Sequence, residues 1–172
     1  MFKLIGSLII ILSCSYLGFS IGSGIRKRLI QLKELEKNVY LLKNEMFYTY
    51  TSLPEAFSKV GLKSKGVIKN IFVTISDLLY SNEVSDVYEA VNKSIKKYNI
   101  DLKLIDEDID IVLNLAKSLG NCDLEGQKSI FELTISNLKK QILVAEDSLD
   151  KNVKMYRCLG VSIGAMIVIM LI

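Results

Sequence analysis

The chain has 172 residues, a net charge of +3, one proline (Pro54), three cysteines, and neither histidine nor tryptophan. So small a charge gives no electrostatic case for nucleic acid, and the absence of histidine removes the commonest general base and the commonest metal ligand. Cys14, Cys122 and Cys158 are odd in number, widely scattered and without a CxxC pair, which speaks against a disulfide framework or a zinc site and suits a reducing compartment.

Residues 4–25 form a run of 22 without a charge, long enough to cross a hydrocarbon core of roughly 30 Å. Ile11-Leu12-Ser13-Cys14 loosely resembles a lipobox, but the apolar run continues through Tyr16, Leu17, Phe19 and Ile21, where a cleaved, exported chain would turn polar. A basic cluster then follows (Arg26, Lys27, Arg28, Lys33 and Lys37 against Glu34 and Glu36), as in a stop-transfer pattern. At the other end, residues 158–172 are 15 uncharged residues preceded by Lys151, Lys154 and Arg157. That stretch is short for a span, so Lys154 and Arg157 would have to snorkel to the headgroups. All 19 acids and 21 of the 22 Lys and Arg lie in residues 26–157. Basic residues beside both spans put the middle domain in the cytoplasm and both termini on the outer side of the membrane. The expected organisation is a membrane helix over 1–25, a cytoplasmic helical domain over 26–157 and a second membrane helix over 158–172. Gly18 and Gly22 in the first span, and Gly160 and Gly164 in the second, are small-xxx-small pairs that would let the two membrane helices pack closely.

Between the spans the apolar residues keep helical spacing. Leu29, Leu32, Leu35, Val39, Leu42 and Met46 mark one face of a helix leaving the membrane. Ser52 suits an N-cap before a short helix containing Pro54, Glu55 and Phe57. Residues 61–66 carry two glycines and read as a loop. A third helix turns Val67, Ile68, Ile71, Phe72, Ile75, Leu78 and Leu79 inward, and a fourth turns Val84, Val87, Ala90, Val91 and Ile95 inward. The fifth, over about 105–119, buries Ile105, Ile109, Val112, Leu113 and Ala116 and ends at Gly120. Asp123 caps a sixth that repeats Phe131, Ile135, Leu138, Ile142 and Ala145 and runs into the second span. No alternating strand pattern appears. The predicted fold is all-α, a six-helix bundle flanked by two transmembrane helices.

Few constellations suggest chemistry. Asp106 and Asp110, with Glu107 and Asp108, place paired carboxylates on one helix face that could bind a divalent ion, a basic partner or only solvent at a positive helix end. The loop at 61–66 lacks the GxxxxGK[ST] order that cradles phosphate. No nucleophile with a partner base is evident. The expectation is therefore a protein that is not an enzyme, with no catalytic residue, metal or cofactor. Phe47, Tyr48 and Tyr50 read first as packing between helices and second as a partner contact.

Two interior motifs carry a family resemblance. Ser52-Leu53-Pro54-Glu55-Ala56-Phe57 following Met46-Phe47-Tyr48, and Ser118-Leu119-Gly120-Asn121-Cys122-Asp123-Leu124-Glu125-Gly126-Gln127, resemble the stage III sporulation protein AB family. The terminal segments Lys3-Leu4-Ile5-Gly6 and Tyr156-Arg157-Cys158-Leu159-Gly160 extend the similarity over the whole chain. Ser52 departs from the family pattern, where proline is expected. The family in turn is similar to the inner-membrane platform proteins of type II secretion and type IV pilus systems, with their six-helix cytoplasmic domains. The resemblance implies a place in the mother-cell membrane around the forespore, as a component of a secretion-like channel complex. It implies a cytoplasmic secretion-type ATPase and other channel membrane proteins as partners, and is compatible with a homo-oligomer. Partner-binding residues expected on these grounds are Asp106, Glu107, Asp110, Glu55 and Gln127. The competing reading is a generic membrane-anchored sensor, which the breaks at Pro54, Gly61, Asn82, Asn99 and Gly120 disfavour.

Overall fold

The computed structural model describes residues 2–119 and 124–171, with side chains for residues 23–119, 125–149 and 151. Six helices and no strand occupy the described residues: α1 Phe2–Phe47, α2 Leu53–Lys63, α3 Gly66–Tyr80, α4 Val87–Lys97, α5 Asp106–Leu119 and α6 Leu124–Leu171. The chain divides into two compact units, Met1–Leu29 with Leu143–Ile172, and Ile30–Ile142; α1 and α6 contribute to both.

In the first unit the described chain is helical throughout. Among the described residues no helix is long and apolar enough to cross a membrane. The stretches 4–25 and 158–172, with Gly18, Gly22, Gly160 and Gly164, lie outside the described side chains except for residues 23–25. The flanking membrane helices expected from sequence are thus not among the features the structure shows.

The second unit is built on α1. Its three- and four-residue spacing lines up Leu32, Leu35, Val39 and Leu42, all at most 3% exposed. At roughly 2 kcal/mol for each fully buried aliphatic side chain, this stripe is a main source of the unit's stability. α2 and α3 pack through Phe57 and Phe72, whose ring centroids are 5.6 Å apart. They approach still closer at Gly61, where an added Cβ would meet Val73 Cγ2 at 2.9 Å and the Val73 backbone nitrogen at 3.2 Å. This corrects the sequence expectation of a loop over 61–66. Gly61 is buried in the last turn of α2, and only Ser64 and Lys65 separate α2 from α3. The glycine serves a close approach and breaks nothing. Gly66, with φ +60°, is the position where the turn needs a glycine.

Ser52 takes the N-cap position of α2, but its side chain makes no capping bond. α4 opens later than expected, at Val87, because Asp86 caps it: Asp86 Oδ1 accepts the Glu89 N–H at 2.7 Å. Glu89 reaches back, accepting from the Ser85 N–H and hydroxyl at 2.9 Å each, and pairs with Lys93 at 2.8 Å. The Lys93 hydrogen bond first, then the Ser85 bonds, lower the Glu89 carboxyl from 4.5 to about 2. In α5 the buried apolar residues are Leu115, Ala116 and Leu119, whereas Ile105 is 43% exposed. The caps expected at Gly120 and Asp123 lie outside the described residues. α6 meets α1 through an edge-to-face contact of Phe47 and Phe131 at 5.8 Å and an ion pair of Lys43 and Glu132 at 3.1 Å.

Between α1, α3, α4 and α5 lies an apolar cavity of about 40 Å³, touched by Leu35, Val39, Ile71, Val91 and Leu115. Its lining offers water nothing to bond, so it is a packing defect. A sharper anomaly is Asn38, fully buried in α1 with neither amide atom hydrogen-bonded to the protein.

Three outcomes follow from this packing. Gly61→Ala gains up to ~1 kcal/mol of helix propensity but overpacks a backbone contact costing roughly 1–3 kcal/mol, so the denaturant midpoint falls; an unchanged or raised midpoint contradicts the close approach. Asn38→Leu keeps the branched shape and removes two unpaired atoms, raising stability by about 1–2 kcal/mol; destabilisation would mean the amide is bonded after all. Glu89 has a lowered folded pKa, so its contribution is present above the unfolded carboxyl value and lost as pH falls through about 2. An NMR titration of Glu89 with its midpoint near 4.5 would contradict the cap.

Candidate partner-binding surfaces

α5 opens on three consecutive acids, favourably placed at the positive end of the helix. The structure separates them. Asp108 turns inward, is fully buried, and its Oδ2 accepts the Ile105 N–H at 3.1 Å. This is half of a capping box, the third helical residue reaching back to the N-cap. Asp106, Glu107 and Asp110 stay exposed on the same helix end. Glu107 accepts a hydrogen bond from Gln141 Nε2 on α6 at 3.3 Å; Asp106 and Asp110 have no ion-pair partner among the described residues. Among those residues no group of three or more His, Cys, Asp or Glu converges to hold a metal ion.

The other two sequence-predicted residues are elsewhere and internally engaged. Gln127 Nε2 donates to the Leu119 carbonyl at 3.2 Å, satisfying one of the orphan carbonyls at the far end of α5. That end is about 20 Å along the helix from Asp106. Glu55 lies in the first turn of α2 and pairs with Lys59 at 2.9 Å, one turn on. The Glu55 hydrogen bond is the main cause holding the Lys59 ammonium above its ordinary pKa of 10.5. Lys59 also reaches Glu45 at 3.9 Å, and Lys63 reaches Glu45 at 3.2 Å. The five expected residues therefore form three separate places. Only the α5 acids present a free edge.

A surface that sequence reasoning undervalued lies at the turn from α1 to α2. Of the aromatic cluster expected to pack between helices, Phe47 does so, but Tyr48 and Tyr50 are 74% and 85% exposed. Tyr50 also adopts φ +52°, a left-handed conformation unfavourable for any residue with a Cβ. The turn is held by Glu45, whose carbonyl accepts the Thr51 N–H at 3.0 Å and whose carboxylate accepts the Thr51 hydroxyl at 3.3 Å. Tyr80, 60% exposed, ends α3. α3 is fastened to the same corner by Ser76 Oγ, which donates to the Pro54 carbonyl at 2.8 Å. The hydroxyls were the available signal: tyrosine in place of phenylalanine tolerates a wet environment.

A six-helix, all-α bundle with exposed acidic and tyrosine patches is the class these features define. The chain belongs to the stage III sporulation protein AB family, whose model matches residues 3–172. It is 25% identical over 171 residues, 99% of both chains, to stage III sporulation protein AB of Bacillus subtilis (strain 168). A solved structure of stage III sporulation protein AB matches with a TM-score of 0.67 and 22% identity, covering 72% of this chain and 97% of that one. The likeness to that structure is one of fold.

Proposed function

We propose that this sporulation protein is a platform of a secretion-like channel complex between mother cell and forespore. In this reading it is anchored at both ends in the mother-cell membrane around the forespore and docks a cytoplasmic secretion-type ATPase on the tyrosine corner of its bundle. Family membership supports the sporulation role. The uncharged stretches 4–25 and 158–172, each bordered by basic residues, support the double anchor and a cytoplasmic bundle. The resemblance to secretion platform proteins supports an ATPase and other channel membrane proteins as partners.

The observation that carries the docking surface is the exposure of Tyr48 and Tyr50 in the α1–α2 turn and of Tyr80 at the end of α3, the helix that Ser76 ties to Pro54. Tyrosine offers large contact area with few rotatable bonds and is enriched at binding hot spots. The strained Tyr50 backbone fits the same reading, since strain kept at an exposed position earns nothing in packing.

The test is the full chain carrying Tyr48→Ala, Tyr50→Ala and Tyr80→Ala together, expressed in sporulating cells. Recovery of the sporulation ATPase with the membrane fraction is expected to fall at least tenfold while the melting temperature stays within a few degrees. Undiminished recovery places the docking elsewhere. Tyr50→Gly separates recognition from folding, because relief of the left-handed strain raises stability by about 1 kcal/mol while binding weakens. Labelling of Lys93→Cys by an impermeant thiol reagent from outside the cell would overturn the cytoplasmic placement.

A further inference from the structure

In the unit Ile30–Ile142, the connection from α4 to α5, residues 98–105, is fastened beside the first residues of α1. Gln31 Nε2 donates to the Asp101 carbonyl at 3.0 Å, and Gln31 Oε1 accepts the Lys103 N–H at 2.7 Å. The turn also holds itself. The Asp101 and Leu102 N–H groups donate to the Tyr98 carbonyl at 3.1 and 3.0 Å, and Leu102 is buried. From this fixed turn Ile100 projects, 88% exposed and the most exposed large apolar side chain among the described residues. Ile30, the neighbour of Gln31 in sequence, is 58% exposed. Turns favour Gly, Asn, Asp and Ser, so an isoleucine left in water at this one serves no local need.

Lysines stand on both sides of the tip. Lys96, Lys97 and Lys103 are exposed. Lys97 Nζ lies 5.4 Å over the Tyr98 ring. Lys103 Nζ donates to the Ile100 carbonyl at 2.9 Å, which leaves two of its three protons for another acceptor. Asp101 is the acid within the connection, and Asp106 and Glu107 follow in the first turn of α5. Three lysines against three acids leave no net charge here, so the isoleucine has to carry any contact and the lysines refine it.

Ile30 follows Ile25, the last residue of the uncharged stretch 4–25, by five residues. That is about 8 Å of helix and at most roughly 18 Å of chain in any shape. We propose that the α4–α5 connection is a third membrane contact of this chain, with Ile100 seated in the lipid interface and Lys97 and Lys103 on headgroup phosphates. The proposal rests on the double-anchor reading above, in which residues 4–25 cross the bilayer. Bonded to Gln31, the turn stays with the end of the bundle that the chain holds at the membrane. Lysine stems lie along apolar surface while their ammonium groups reach polar oxygens, which suits an aliphatic tip at the headgroup level. A protein partner would have to displace a lipid surface that covalent connection keeps at high local concentration. Lipid is therefore the favoured occupant.

The test uses the purified full chain, with Cys14, Cys122 and Cys158 changed to Ser, reconstituted in vesicles of phosphatidylcholine and phosphatidylglycerol. A single Ile100→Cys, Asn99→Cys or Tyr48→Cys carries an environment-sensitive fluorophore, and a share of the lipids carries a spin label near the headgroup. Quenching of the probe at Ile100→Cys or Asn99→Cys is expected to exceed that at Tyr48→Cys at least threefold. With the probe on Asn99→Cys, Ile100→Asp should cut the quenching at least by half, as should Lys97→Glu with Lys103→Glu, and Ile100→Leu should leave it unchanged. Ile100 is exposed, so the circular dichroism of these variants should not move, which separates a lipid contact from misfolding. In a chain that alkaline carbonate does not extract, two results overturn this contact and leave the double anchor standing: quenching at Ile100→Cys no stronger than at Tyr48→Cys, or indifference to Ile100→Asp or to the lysine reversal. Extraction by carbonate overturns the double anchor and this proposal with it.

Discussion

Everything in the unit Ile30–Ile142 is fastened to α1, and the fastening is polar as well as apolar. Beside its buried leucines, α1 carries Gln31, Glu34 and Glu45, each of which bonds a connection between helices. Gln31 Nε2 donates to the Asp101 carbonyl at 3.0 Å and Gln31 Oε1 accepts the Lys103 N–H at 2.7 Å, so one side chain satisfies both sides of the α4–α5 connection. Glu34 accepts the Lys65 N–H at 3.0 Å between α2 and α3. Glu45 holds the Thr51 turn. Connections this short cannot close their own hydrogen bonds, and an unpaired backbone group away from water costs as much as a lost bond. A helix whose apolar stripe is bordered by such side chains fixes both the core and the paths between helices.

That arrangement leaves local costs near where it is tightest. Asn38 stands one position before Val39 in the buried stripe with its amide unmatched, and Ser94 of α4 is also fully buried with its hydroxyl unbonded. Neither has a structural partner that explains its polarity. The apolar cavity shows that the interior is not filled to uniform density. Each fault is worth on the order of 1–3 kcal/mol, which the burial of Leu32, Leu35, Leu42, Phe131 and Leu138 outweighs.

How much of this was legible in the sequence depended on which force set each feature. Helical spacing of Leu32, Leu35, Val39 and Leu42 is a one-dimensional record of burial, so α1 could be read directly, as could α3 and most of α6. Gly61 misled because glycine has two uses, and a contact with Val73 twelve residues on leaves no local trace. The start of α4 was missed because Val84 continues the apolar pattern while Asp86, the actual cap, is a polar residue within it. Of the α5 acids, Asp108 differs from its exposed neighbours Asp106, Glu107 and Asp110 only by its distance of three from Ile105, which lets it cap the helix. For the tyrosines of the α1–α2 turn, packing between helices and a partner contact both stay open in the sequence, because aromaticity alone does not say which side of a turn faces water. Gln127 and Glu55 were drawn from a family motif, and a motif records structural corners as faithfully as contacts.

The internal bonding of those last two residues also sorts the surface. A side chain already paired within its own chain must give up that bond to make another, so the net gain from meeting a partner is small. Gln127, held to the Leu119 carbonyl, and Glu55, held to Lys59, are poor recognition groups on this ground. Asp106, Asp110, Lys139 and Lys140 have no such bond to lose among the described residues, and Tyr48, Tyr50 and Tyr80 keep most of their rings in water. The charged set lies on α5 and α6, the tyrosines lie in the α1–α2 turn and at the end of α3, and no residue is shared between them.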